Sequence, residues 1–392
     1  MWRGLTFVVT AVALVIWSAG AASAGTGWLV QAMPSPPSSP NSNNVLDGVS
    51  CASSVSCVAV GSYINSVGIG VTLAEYWNGS TWAIQHTPNP VAAPNSALQQ
   101  VSCTSPTSCT AVGEYLTSSG AGFTLAEHWN GSTWSIQDTP NPAGAAVSSL
   151  YDVSCASPTS CTAVGQYLDS SDAGFTLAEH WNGSKWWVQA TPKPPGATNF
   201  STLVGISCAR ARSCTAVGWY YTSGPAATVM LAEHWDGSSR WSVQATPSPA
   251  GSASSLLHGV SCPSPTSCTA VGQYTESGRT ALTVAEYWNG SIWSVQATPS
   301  PAGSANSALN GVSCATAHKC TAVGYVNASG GTRPLAEHWN GSTWAIQYTQ
   351  RPPGSYFNYL NAVSCPSTRS CTAVGWYTKG FQAPSQLLAE AK

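Results

Sequence analysis

Residues Gly27 to Pro37 read GWLVQAMPSPP, and the chain ends on Leu388-Ala389-Glu390-Ala391-Lys392. Each end is half of a motif that stands whole elsewhere. The whole motif is Leu125 to Pro142, LAEHWNGSTWSIQDTPNP, with copies beginning at Leu73, Leu177, Leu231, Val284 and Leu335. Its residues alternate in period two on both sides of Asn130-Gly131, the pattern of two antiparallel strands joined by a tight turn. The N-terminal fragment matches the second strand, as comparison with Trp241 to Pro249 shows, and the C-terminal copy stops after the first. The two ends are therefore expected to complete one hairpin between them.

Working outward, fourteen cysteines fall in seven pairs with five residues inside each pair: Cys51 and Cys57, Cys103 and Cys109, Cys155 and Cys161, Cys208 and Cys214, Cys262 and Cys268, Cys314 and Cys320, Cys365 and Cys371. Each unit reads as a strand ending Val-Ser-Cys or Ile-Ser-Cys, a five-residue turn, a strand such as Cys109 to Tyr115, a Gly/Ser-rich loop, and the Trp hairpin. That makes four strands at a period near fifty residues, with no helical periodicity. An all-β, seven-bladed β-propeller of four-stranded antiparallel blades follows, closed by an N-terminal strand donated to the C-terminal blade. The closure blade is expected from about 26–35 plus 358–392. A β-solenoid is the competitor, and the complementary ends argue against it because closure leaves no unpaired edge.

Charged residues are 7% of the 392, with 13 Lys+Arg against 15 Asp+Glu, so no basic field exists to attract nucleic acid or anionic lipid. Hydrophobic residues at 43% and 18 Trp supply cores. Residues 1–24 carry Arg3, an apolar run from Leu5 to Trp17 and the small-residue site Ala22-Ser23-Ala24. They read as a secretory signal, leaving 25–392 as one secreted, monomeric propeller with no membrane attachment after cleavage. In an oxidising space the cysteine pairs are expected to be disulfides within each first hairpin, each contributing about 2 kcal/mol for so short a loop. Their spacing is not that of a zinc ribbon, and neither a metal nor a cofactor is expected.

The turn Gly131-Ser132-Thr133-Trp134 resembles the Asp-box turn of sialidase-like propellers, Ser-x-Asp-x-Gly-x-Thr-Trp, at Gly131, Thr133 and Trp134. Glu127 and Trp129 stand where that pattern has Ser and Asp. The chain as a whole resembles exported bacterial propeller-repeat proteins. In the sialidase pattern the motif is structural, and a sialidase site would also need three converging arginines. Arg210, Arg212, Arg240, Arg279, Arg333, Arg351 and Arg369 do not make such a set by spacing. Sequons at Asn78, Asn130, Asn182, Asn289, Asn340 and Asn327 matter only in a glycosylating host, and five coincide with the hairpin turn.

Glu75, Glu127, Glu179, Glu233, Glu286, Glu337 and Glu390 recur identically, so they cannot converge on one substrate. A structural hydrogen bond to neighbouring backbone is their expected role. A single specific site must instead sit where blades differ. Four residues before the first cysteine stand Asp47, Gln99, Tyr151, Val204, His258, Asn310 and Asn361, a mixed ring after a constant leucine, placed near the axis. Tyr356, Phe357 and Tyr359 mark the last crossing, with Phe381 and Phe200 elsewhere on the same face. The expected ligand-binding residues are Asp47, Gln99, Tyr151, His258, Asn310, Asn361, Tyr356, Phe357 and Tyr359. The expected function is a secreted, non-catalytic binding or scaffold propeller for extracellular carbohydrate or protein. Its alternatives are a glycoside hydrolase or lyase with an axial active site, for which Asp47 and Asp152 are the nearest acids, and a multivalent lectin with one site per blade.

Overall fold

Alternating valine, threonine, alanine and aromatic residues give twenty-eight strands and no helix among the described residues. The computed structural model describes residues 27–37, 42–91, 93–223, 227–276, 280–301 and 305–392. The expected signal peptide and Arg279 lie outside these residues. The strands form seven four-stranded antiparallel units, here called blades, with strands A to D in order; blade 3, for example, is Ala145–Ser157, Ser160–Asp169, Gly174–Trp181 and Trp186–Gln189. Blade 7 takes its A to C strands from Phe357–Ser367, Ser370–Thr378 and Gln386–Ala391. Its D strand is Leu29–Gln31 from the other end of the chain, in antiparallel register Leu29↔Ala391, Val30↔Glu390, Gln31↔Ala389. Isolated parallel contacts, Gly70↔Asn95 and Thr228↔Ser254, join blades 1 and 2 and blades 4 and 5 edge to edge.

The hydrophobic cores lie between blades. Seven buried clusters occur among the described residues, each drawn from two neighbouring blades. One joins Leu46, Val49 and Trp82 of blade 1 to Ala362, Val374 and Leu387 of blade 7, so packing runs around the whole ring. Two rings of polar bonds repeat with it and account for motif residues the sequence leaves unexplained. In every blade the D-strand Trp donates its indole N–H to the Gln of the preceding blade, as in Trp186 to Gln137 at 2.9 Å. The two bonds that use the N-terminal segment are Trp82 to Gln31 at 2.8 Å and Trp28 to Gln347 at 3.2 Å. Likewise each first cysteine donates its backbone N–H to the serine of the preceding Ser-Cys motif, closing with Cys51 to Ser364 at 3.0 Å.

All seven disulfides are present as expected, and among the described residues no cysteine is free. The five-residue turn is shorter than the spacing implies. In blade 1 pairing continues past Cys51↔Cys57 to Ser53↔Ser56, leaving two residues in the loop. The Asn-Gly turn is longer: Trp129 pairs with Trp134, so Asn130 to Thr133 form a four-residue loop. Gly131 takes a positive φ of 97°, and the Asn130 side chain accepts from the N–H groups of Ser132 and Thr133, both at 3.0 Å.

Candidate functional site

The A strand of every blade carries a β-bulge, and the bulged position is the variable one. In blade 1 the register passes from Leu46↔Gly61 to Gly48↔Val60, leaving Asp47 without a partner across the pair. The same break isolates Gln99, Tyr151, Val204, His258, Asn310 and Asn361. A bulge re-aims one side chain out of the alternation. The constant leucine before it is fully buried in all seven blades, which explains why only its neighbour varies. Opposite the bulge the B strand has glycine throughout; a Cβ on Gly165 would meet the Ser149 carbonyl at 1.9 Å.

The seven bulge residues converge on one cavity of about 430 Å³, which Gln166, Phe200, Thr202 and Trp219 also line. Six expected site residues are therefore together at the axis. They divide into two kinds. Asn361 donates to the Leu46 carbonyl at 3.0 Å, Asn310 to that of Leu360 at 2.9 Å, and the His258 Nδ1 lies 3.2 Å from that of Leu309. These three brace blades 5, 6 and 7 each against the next blade round the ring. Gln99 and Tyr151, on blades 2 and 3, line the cavity without bonding to the carbonyl of the next blade, and the Tyr151 hydroxyl is engaged by Ser149 of its own strand. Asp47 is held by Asn361 at 3.1 Å.

The residues three before each first cysteine are Gly48, Gln100, Asp152, Gly205, Gly259, Gly311 and Ala362, and Gln100, Asp152, Gly259, Gly311 and Ala362 also line the cavity. A Cβ at Gly259 would stand 3.1 Å from the Asn310 carbonyl, so backbones meet there directly. Gln100 and Asp152 break this small-residue rule in adjacent blades. Asp152 accepts from Val153 N–H at 2.8 Å and Ile206 N–H at 2.7 Å, tying blade 3 to blade 4 with both oxygens. That use sets it apart from Asp47 as an acid for chemistry. Gln100 was legible in the repeat alignment, one place beyond the position that draws the eye.

Burial pushes Asp47 up to about 7, opposed by the Asn361 bond and reinforced by the nearby charge of Glu114. Burial pushes Asp152 to about 7 as well, against its two backbone donors. Tyr151 rises to about 12, from burial and then Glu114, so its phenol is a hydrogen-bond group and not a base. Burial lowers His258, which is neutral at physiological pH. No lysine or arginine stands among the described residues that line the cavity. Nor is any group of three or more His, Cys, Asp or Glu placed to hold a metal among the described residues.

One arc of the cavity is therefore polar, Asp47, Gln99 and Tyr151 on blades 1 to 3. Blade 4 adds Trp219, edge-on to His258 with ring centroids 6.0 Å apart. Trp219 follows the constant B-strand glycine, as do Gln166, Glu114 and Trp376 in their blades, and this second variable position is one the sequence reading missed. Tyr356, Phe357 and Tyr359 do not line the cavity. Tyr359 stacks on Trp376 at 4.5 Å, while Tyr356 and Phe357 cluster with Phe381, which is 76% exposed, at the rim of blade 7. Phe357 holds the position in its blade that Phe200 holds in blade 4, so the rim lies on the face where the cavity opens.

The repeated glutamates are fully buried in all seven blades, and neither carboxyl oxygen of any has a hydrogen-bond partner. The expected bond to backbone is absent. The hydroxyls of Thr72, Thr124 and Thr283 approach Glu127, Glu179 and Glu337 from the preceding blade, but each donates to a threonine of its own blade. Burial raises all seven carboxyls to about 8. They are neutral acids in the frame and cannot serve as a ligand site.

No family model and no curated protein matches the chain. Solved structures do. An ulvan lyase, a polysaccharide lyase bound to -[GlcA(1-4)Rha3S]-, superposes with a TM-score of 0.53 at 8% identity, covering 92% of this chain and 94% of that one. The polysaccharide lyase Uly1 gives 0.52 at 11% identity over 92% and 91%. The likeness is one of fold. A fucose-specific lectin from Aleuria aurantia is also similar, at 0.43 and 12% identity over 81% and 100%.

Proposed function

We propose that the chain is a secreted, non-catalytic carbohydrate-binding propeller whose specific site is the axial cavity, and that its ligand is a neutral glycan. The observation that carries this reading is the break in symmetry: identical bulges aim Asp47, Gln99 and Tyr151 at one arc beside Trp219. Amide, carboxyl and phenol groups match sugar hydroxyls, and an indole face matches the apolar side of a pyranose ring. Seven disulfides fit an oxidising, extracellular setting. Two of the structures similar in fold are polysaccharide lyases, which favours a glycan over a protein ligand. An acidic cavity lined without lysine or arginine disfavours a uronate, whose carboxylate needs a neutralising partner.

One observation favours a second reading, a glycoside hydrolase: Asp47 is an acid tuned to about 7 inside the cavity. The two readings part on Asp47. As a binding group it accepts hydrogen bonds best when ionised, so affinity for a glycan is expected to fall as pH drops below about 7. Asp47→Asn is expected to bind with an affinity that depends less on pH between 5 and 8, leaving only the part owed to Asp152, and neither protein is expected to shorten the glycan. Titrations of both across that pH range, followed by chromatography of the glycan, check this. Products released by the native chain and absent with Asp47→Asn would establish the hydrolase.

A further inference from the structure

Two clefts lie at the outer edge of the ring, far in the fold from the axial cavity. One, of about 330 Å³, lies between blades 1 and 2 and is lined by Gln85, His86, Trp129, Ser132, Thr133 and Trp134. The other, of about 460 Å³, is its equivalent between blades 5 and 6, with Gln296, Trp339, Ser342, Thr343 and Trp344 in the same places. Each is built from the D-strand end of one blade and the hairpin loop of the next.

The parts are fixed in advance. Trp134 and Trp344 are buried, and each spends its indole N–H on the glutamine of the neighbouring blade at 2.9 Å. Trp129 and Trp339 lie 5.8 Å from them, tilted by 40°, and remain half-exposed. The Trp129 N–H is turned toward the Pro106 carbonyl at 3.3 Å, which sets its plane. Ser132 and Ser342 donate to Asn130 and Asn340 at 2.9 Å, so their oxygens still accept. A half-exposed indole flanked by serine and threonine hydroxyls, with no carboxylate, lysine or arginine in the lining, has the chemistry of a weak site for a neutral pyranose.

We infer that these hairpin clefts are peripheral subsites for neutral sugar rings, independent of the axial cavity and present only in blades whose loop ends in threonine. Blade 1 qualifies through Thr81, between Trp77 and Trp82, which are 5.7 Å apart. Blades 3, 4 and 5 have Lys185, Arg240 and Ile292 at that point of the loop and so lack its hydroxyl. Three weak sites on one rigid ring would hold a repetitive glycan by avidity. The repeat thus supplies valency at its edge and specificity at its centre.

The test uses the full chain and a panel of methyl hexopyranosides in the millimolar range, read by indole N–H resonances in NMR. The expected result is that at least one glycoside shifts the Trp129 and Trp339 signals. Thr133→Lys with Thr343→Lys, a change blade 3 already carries at Lys185, is expected to abolish those shifts while the fold persists. Gln99→Ala is expected to leave them unchanged. Shifts that survive the double lysine change, shifts that vanish in Gln99→Ala, or an entire panel without effect on either indole would overturn the inference. Because the cavity is read by Gln99→Ala and the clefts by the lysine pair, failure of one is distinguishable from failure of the other.

Discussion

A chain lacking Gly27 to Pro37 is expected to lose most of its stability, not the small increment that trimming a terminus normally costs. Trp28 is fully buried in the core between blades 6 and 7. Truncating such a residue costs about 3–5 kcal/mol on its own, against about 5–15 kcal/mol for a typical whole domain. The deletion also removes both polar bonds that seat blade 7, Trp28 to Gln347 and Trp82 to Gln31, and exposes the edge of Gln386–Ala391. Lys392 stands where other blades have the first hairpin tryptophan; it lies 5.2 Å over the Trp28 ring and donates to Gln347 at 2.7 Å. It would lose its aromatic partner. Trp28→Ala separates the contact from the strand and is expected to cost about 3–5 kcal/mol in chemical denaturation. A deletion as stable as the full chain would mean that blade 7 stands without its borrowed strand.

Alkaline solution is expected to unfold the ring. Seven glutamates rise from 4.5 to about 8 on folding, so the folded chain holds protons that the unfolded chain has released. The stability this contributes is complete below about pH 4.5 and is lost as pH rises toward 8. Asp47 and Asp152 act in the same direction up to about 7. His128, His180, His234, His258 and His338, lowered mainly by burial, act in the opposite direction below their ordinary 6.5. Between pH 6.5 and 8 the glutamates are opposed mainly by Lys392, which burial lowers to about 8, and the melting temperature should fall there. Raising one carboxyl tenfold in proton affinity on folding is worth about 1.4 kcal/mol, so even that much at each glutamate sums to about 10 kcal/mol, the size of a domain's whole stability. Glu179→Gln should raise the melting temperature at pH 8 and reduce the slope by one proton. A melting temperature flat from pH 6.5 to 8 would show that the buried carboxyls have partners.

The frame was legible in the sequence because repetition states it seven times. The cysteine pairs, the Trp hairpins and the complementary ends each follow from spacing alone, and each is seen in the fold. The meaning of Ser50 and Gln85 was not legible, since both act on the next blade and nothing in their own strand needs them. The glutamates misled for the opposite reason: identical copies imply a structural role, but sequence does not show that no donor reaches them. At the site, the variable residues after the constant leucine were found, while the bulge that aims them was not, because a bulge is a property of pairing between strands. That is also why His258, Asn310 and Asn361 looked like ligand groups. Only the fold reveals the neighbouring carbonyls that occupy them.

The central claim is that the copies make the frame and specific recognition belongs to the axial cavity where they disagree. The most direct measurement is binding of the purified chain to a broad panel of neutral and acidic glycans, set beside the double variant Gln99→Ala with Trp219→Ala. The account predicts a neutral glycan as the tightest ligand, near one per chain at low concentration, and loss of that binding in a variant that keeps its melting temperature. Tightest binding to an acidic glycan, or a tightest interaction unchanged in the double variant, would contradict it.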